Sequence, residues 1–327
     1  MTKPQSNILI AVLCGALVAL PFALQSNKFL AFILGMVLIN VIWASGMNIL
    51  YGFVGLMPLM YAGIAGLAAY AMIYLTRTEG WSFWLAMPVA SFGAAVVGVL
   101  LGLPSLRLRG FYFTLCSLVI QTGMTLAYSF FPKYTNGDTG INQISPPTFG
   151  GMELTGAVFE SILVLFALAA VGVVALIMSR PLGKRFIAVR EDEVLAAAVG
   201  IDVVRTKIVA FFLVSLYAGV GGCLYSVYVG FVSPRAFDIL SSLAIWLLVA
   251  FGGRGSIGGP ILGTLVLAPL PYLLQDVPWA KDIVLGVLIV GVILWFPGGL
   301  YGYLFKSRRA KNATGRSDTT RLLDQRV

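Results

Sequence analysis

Apolar runs of about twenty residues, separated by short polar stretches, recur along almost the whole of this 327-residue chain. A helix crosses the ~30 Å hydrocarbon layer of a bilayer in roughly 17–25 such residues. The pattern predicts ten spans, at 8–24, 29–50, 51–75, 81–103, 111–131, 156–178, 208–231, 239–251, 261–275 and 283–304. The second and third run together and are divided at residue 50, and the eighth and ninth are short. The first span follows Lys3 but lacks a small-x-small cleavage site, so it reads as an anchor and not as a removable signal. The predicted fold class is an all-α polytopic membrane protein. Residues 1–305 form the transmembrane domain and 306–327 a solvated basic tail.

Charge orients these spans. Basic residues collect on the cytoplasmic side of membrane proteins. With ten spans both termini share one side. Placing them in the cytoplasm puts 17 of the 22 Lys/Arg there: Lys3, Arg107, Arg109, six in 180–207, Arg254 and seven beyond residue 305. Lys28, Arg77, Lys133, Arg235 and Lys281 fall outside. The net charge of +9 is thereby explained without nucleic acid. The longest external loop, 132–155, carries the turn signals Asn136-Gly137-Asp138 and Pro146-Pro147.

Chemistry is excluded more easily than it is found. The chain has no His, and its three cysteines lie far apart inside apolar runs, without ligand spacing. Every charged residue is expected outside the membrane core, with Glu160 nearest to it, so an ion-driven carrier lacks its usual mid-membrane acid. The single Gly183-Lys184 pair is followed by Arg185, not by the Ser or Thr of a phosphate-binding loop. The chain is thus not read as an enzyme. No cofactor is assigned to it, and any energy from ATP has to come from a partner.

Against this apolar background residues 180–207 stand out, with six basic and four acidic side chains. Glu191, Asp192 and Glu193 suit the positive end of a helix dipole. The alanine run to Val199 favours helix, and Gly200 suits the position just past a helix end. Asp202 can cap the following span. A short surface helix over 185–200, ending at Gly200, is predicted, either lying on headgroups or docking to a partner.

The residues here resemble a known family. "PLGKRFIAVREDEVLAAAVGID" (181–202) is similar to the cytoplasmic motif of LivM-type permeases of the branched-chain amino acid ABC importer family, where a "PxGRxxxAxREDExAAxxxGI" pattern docks in the ATPase. Four further segments fall in family order: "LPSLRLRGFYFTLCSL" (103–118), "TNGDTGINQI" (135–144), "LLVAFGGRGSIGGPILGT" (247–264) and "FPGGLYGYL" (296–304). One stretch departs. Where the family reads "GxxSLGHAAFFGIGAY", this chain has "GLMPLMYAGIAGLAAY" (55–70), with Pro58, Met60 and Tyr61 at the Ser, Gly and His positions. The resemblance implies ATPase coupling through Arg185, Arg190, Glu191, Asp192, Glu193, Ala197 and Gly200. It also implies a second, homologous permease subunit, two ATPases that bind Mg-ATP, an extracellular or periplasmic solute-binding protein, and a bacterial inner membrane.

Polar residues inside the spans include Asn40, Asn48, Tyr61, Tyr70, Thr114, Gln121, Thr125, Tyr128, Ser215 and Tyr225. Each can simply bond a neighbouring helix. Thr114, Gln121, Thr125 and Tyr128 share one helix face. With Asn48, Tyr61 and Tyr70 they are the candidate lining of a neutral pathway for a small polar or zwitterionic solute. An amino acid fits such a lining, and urea or a short amide is the alternative. An ATP-independent facilitator or channel explains a neutral pathway equally well, but not the 180–207 signature. The "GGRGSIGGP" loop (252–260) reads as a tight turn joining two short spans.

Overall fold

The computed structural model describes residues 15, 18–108, 110–274, 286–287, 291 and 299–302. Most of the expected span 8–24, the span 283–304 and the tail 306–327 lie outside the described residues.

Five helical stretches are long and apolar enough to cross a membrane: Lys28–Val54, Phe83–Leu106, Phe111–Phe130, Ala157–Ser179 and Val203–Val229. Shorter apolar helices complete the bundle, and the chain is a multi-pass membrane protein. We number the helices α1 (Lys28–Asn48), α2 (Tyr61–Arg77), α3 (Phe83–Leu106), α4 (Phe111–Phe130), α5 (Ala157–Ser179), α6 (Pro181–Glu191), α7 (Glu193–Ala198), α8 (Val203–Val229), α9 (Ile239–Gly252) and α10 (Gly258–Leu267). The central element is α8, which packs on α1, α2 and α3, while α1 also packs on α5 and α9 on α10. Glycines allow the close approach. A Cβ at Gly222 would lie 2.1 Å from the Ala65 carbonyl oxygen, and one at Gly219 would lie 2.9 Å from Ser91 Cα.

One face of the bundle carries α6, α7 and the 253–257 turn; it is called the lower face below. The opposite, upper face carries the 132–155 loop. There β1 (Ile141–Asn142) pairs antiparallel with β4 (Phe231–Val232), and β2 (Thr148–Phe149) with β3 (Met152–Glu153). Arg77, at the end of α2, donates to the carbonyls of Asn142 and Gln143, fastening the loop to the helix.

The structure moves the expected division at residue 50. Helix α1 runs on through a π-helical segment, Ile49–Val54, and ends at Gly55, whose φ of 86° is left-handed. The break lies at 55–60, and α2 starts at Tyr61 inside the bundle. Backbone amides around such a start have no intrahelical partner, and hydrocarbon offers none. Side chains from neighbours supply three of them. Leu59 N–H donates to Ser117 Oγ at 3.0 Å, Ala62 N–H to Ser242 Oγ at 2.9 Å and Gly63 N–H to Gln121 Oε1 at 2.8 Å. The stretch that departs from the family pattern, with Pro58, Met60 and Tyr61, is this break.

A second correction concerns 232–238, expected outside the membrane. After β4 the chain turns at Pro234 into a 3-10 helix, Pro234–Phe237, that packs on α2 and α4. Gln121, halfway along α4, donates to the Phe237 carbonyl at 2.7 Å. The segment therefore re-enters the bundle, and α9 begins within it. This explains the short eighth span. Fourteen residues reach only about 21 Å, less than a full crossing.

Candidate coupling face and translocation cavity

On the lower face the expected single helix is two. Helix α6 stops at Glu191, and Asp192, in extended conformation, caps α7 by accepting from the amides of Val194 (2.7 Å) and Leu195 (3.0 Å). An Asp side chain that bonds backbone two and three residues on offers an alternative to continuing the helix. Glu191 accordingly sits at a helix C-terminus, not at the N-terminus the sequence suggested, and pairs with Arg190 at 2.5 Å. The other end follows expectation. Gly200 has φ 85°, Ile201 N–H reaches back to the Ala196 carbonyl, and Asp202 caps α8 by accepting from Arg205 N–H at 3.0 Å.

Helix α7 is anchored from beneath. Lys207 Nζ lies 2.6 Å from Glu193 Oε1, with side chains 3% and 22% exposed. Ala196 is buried against the bundle, whereas Val194, Leu195, Ala197 and Val199 are exposed. Arg185 is exposed on α6. Arg190 Nη1 donates to the Gly52 carbonyl of the π segment at 2.9 Å. Nearby, Asn48 Oδ1 accepts from Gly255 N–H at 3.0 Å and its Nδ2 donates to the Ser256 carbonyl at 2.9 Å. Arg190 also contacts the positions where Gly55 and Gly255 would carry a Cβ. The glycine turn is thus a clasp joining α6, the end of α1 and the end of α9.

A cavity of about 660 Å³ opens between α1, α2, α8, the re-entrant 3-10 turn, α9 and α10. It falls within the range of small-molecule sites. Its wall is mostly apolar, with Asn40, Tyr225, Arg235, Asp238, Ser241 and Tyr272 as polar members.

None of the seven sequence-predicted pathway residues lines this cavity. Gln121 is fully buried and spent on Gly63 and Phe237. Tyr128 donates to the Gly63 carbonyl at 2.7 Å and Tyr61 to the Trp43 carbonyl at 2.9 Å. Asn48 holds the lower clasp. Thr125 bonds the Gln121 carbonyl of its own helix, Thr114 is half-buried, and the Tyr70 hydroxyl is buried without a partner among the described residues. Asn40 and Tyr225, from the wider polar set, do reach the cavity. Arg235 and Asp238 were missed because their segment read as an external loop. The signal was available: an apolar run too short to cross, preceded by Pro234 and by Asp238 three residues before Ser241, as a buried helix start requires.

A family profile described as branched-chain amino acid transport system / permease component matches residues 29–293. The chain belongs to that family. Among its relatives, the high-affinity branched-chain amino acid transport system permease protein LivM of Salmonella typhimurium is 30% identical over 91% of this chain and 75% of its own length. The Escherichia coli protein of the same description is 29% identical over 97% of this chain and 80% of its own. The autoinducer 2 import system permease protein LsrC of Salmonella paratyphi B is 26% identical over 70% of this chain and 68% of its own. No solved structure gives a significant match. The family match covers the anchored helix α7, the clasp and most of the cavity wall.

Proposed function

We propose that this permease is one of two membrane subunits of an ATP-driven importer of branched-chain amino acids in a bacterial inner membrane. Its lower face is cytoplasmic. The observation that carries the ATP-driven reading is α7: a short helix tied down by a buried ion pair yet presenting Val194, Leu195 and Val199 to water. Apolar side chains exposed beyond the bilayer mark a contact surface, and a facilitator working alone has no use for one. An ATPase subunit seated there, charged with Mg-ATP, supplies the energy. Two such ATPases sit beneath this subunit and a second, homologous permease, and a solute-binding protein delivers cargo to the upper face.

The clasp gives the route. A shift of α6 pulls on Gly52 through Arg190, and Asn48 ties that same segment to the 253–257 turn. Both α1 and α9 line the cavity at their other ends. Movement at the ATPase therefore reaches two cavity walls through hydrogen-bonded backbone. In a complex of this chain with its partner subunits in proteoliposomes, leucine and its binding protein should accelerate ATP hydrolysis and drive ATP-dependent leucine uptake. ATP-independent leucine equilibration by the chain alone would favour a facilitator. ATP-driven uptake of urea or short amides, but not of leucine, would change the substrate.

A further inference from the structure

The geometry points to a two-point zwitterion subsite in the cavity: Arg235 receives the carboxylate of an amino acid, and Asp238 with Asn40 receives its ammonium. This assignment rests on the importer reading above and adds to it a place and an orientation for the solute.

Arg235 and Asp238 flank one turn and line the same cavity, yet they do not pair with each other. Among the described residues Arg235 has no hydrogen-bond or ion-pair partner. Asp238 uses Oδ1 on the Ser241 amide (2.9 Å) and hydroxyl (3.1 Å), and its Oδ2 has no partner among the described residues. Asn40 donates Nδ2 to the Met36 carbonyl at 2.9 Å, and its Oδ1 takes no donor among the described residues. The Tyr225 and Tyr272 hydroxyls, also on the wall, make no hydrogen bond among the described residues. Arg235 is exposed and Asp238 half-buried, so water reaches both charges, and a ligand gains by replacing that water with paired contacts beside a mostly apolar wall. A solute with a carboxylate and an ammonium on adjacent atoms completes both, whereas a solute with one net charge leaves one of them unanswered. The remaining wall, with Met36, Leu248 and Leu267, is the surface an aliphatic side chain would meet. The amino acid is thus held head-first at the re-entrant turn with its side chain across the cavity. A neutral solute of the same size gains nothing from the pair.

The test uses the complete complex in proteoliposomes with labelled leucine. Arg235→Gln removes the cation. Asp238→Asn removes the anion but keeps an oxygen for the Ser241 amide, so the start of α9 stays capped. Each should lower ATP-driven leucine uptake roughly tenfold or more, as expected for loss of a charge-assisted contact, while basal ATP hydrolysis stays within about twofold. Asp238→Glu should recover part of the loss. Normal uptake by either charge-removing variant would overturn the two-point subsite. Should a variant not assemble, an Ala244→Cys reporter on the cavity wall of an otherwise intact, cysteine-free chain decides instead. Leucine should slow its maleimide labelling and isopentanol should not; no protection, or equal protection by both, overturns the subsite. Absence of any ATP-driven uptake by the unmodified complex is a different result. It would sink the importer reading and the subsite with it.

Discussion

Gln121 accepts the backbone N–H of Gly63 at 2.8 Å, and the same side chain donates to the carbonyl of Phe237 at 2.7 Å. One amide thus fastens the start of α2 to the end of the re-entrant 3-10 turn. Both are places where the chain interrupts its helices inside the bundle, and interrupted backbone there has no water to fall back on. The interruption at 55–60 and the one at 233–238 lie against each other, with Ser242 of α9 bonding Ala62 across the gap. They build the cavity: Ala62, Phe237 and Asp238 all line it.

Replacing Gln121 by Leu should therefore act on stability before it acts on transport. It leaves a buried amide and a buried carbonyl without partners, at about 1–3 kcal/mol each. The thermal midpoint of the purified complex in detergent should fall clearly. Thr122→Val, one residue away with an exposed side chain that bonds only its own helix, should change it little. Equal midpoints for both variants would show that Gln121 is not a fastener.

The sequence made the spans legible because hydrocarbon imposes length and apolarity together. It also marked the helix ends at Gly200 and Asp202, where one residue type answers one local backbone need. It misled at polar positions inside spans. A lone Gln or Tyr in an apolar run looks the same whether it faces a solute or a neighbour's backbone. Only the position of Gly63, 58 residues away along the chain, decides for Gln121. The re-entrant turn was hidden for the same kind of reason: a short charged stretch between apolar runs reads as a loop unless something pulls it back inside.

The exposed side chains of α7 give a prediction on assembly. Leu195→Glu puts a carboxylate in the apolar surface without touching Ala196 or the Lys207–Glu193 pair beneath. The variant should insert and accumulate normally but lose copurification of the ATPase. A variant that retains the ATPase and transports at the unmodified rate would place docking elsewhere.

That ion pair should be asymmetric when broken. Glu193→Gln strands Lys207, which is 3% exposed, and removal of one partner of a buried pair costs about 3–5 kcal/mol. Lys207→Met takes this contact from Glu193, which is 22% exposed and can turn to water, so its cost should be smaller. The double variant Glu193→Leu/Lys207→Met should regain much of the loss, because neither charge is left alone. Thermal unfolding of the four forms measures the cycle; equal losses in the two single variants would argue against a buried pair.

Topology follows from the two faces. In a chain with Cys14, Cys116 and Cys223 replaced, a single cysteine at exposed Asp138 should react with an impermeant maleimide added outside intact cells. One at exposed Lys184 should react only after the membrane is opened. The reverse order would invert the permease and remove α7 from the cytoplasm.

Arg190 separates docking from transmission. It lies at the end of α6, away from the exposed apolar side chains of α7, and its Nη1 reaches the Gly52 carbonyl in the π-helical end of α1. Segments of π-helix are rare and tend to sit at functional positions, because their looser ladder deforms easily. Arg190→Ala removes the side-chain hydrogen bond from α6 to Gly52 seen among the described residues, while Asn48 still holds the 253–257 turn. The ATPase should stay bound and basal hydrolysis should continue. Stimulation of that hydrolysis by loaded binding protein should drop by roughly 5–150-fold, the usual span of a coupling energy between two sites. Arg190→Lys should restore only part of it, since a point charge cannot hold Glu191 and the Gly52 carbonyl in one fork. Loss of the ATPase from Arg190→Ala would make Arg190 a docking residue instead. Unchanged stimulation would mean that force travels from α7 into α8 through Lys207, and not through the clasp.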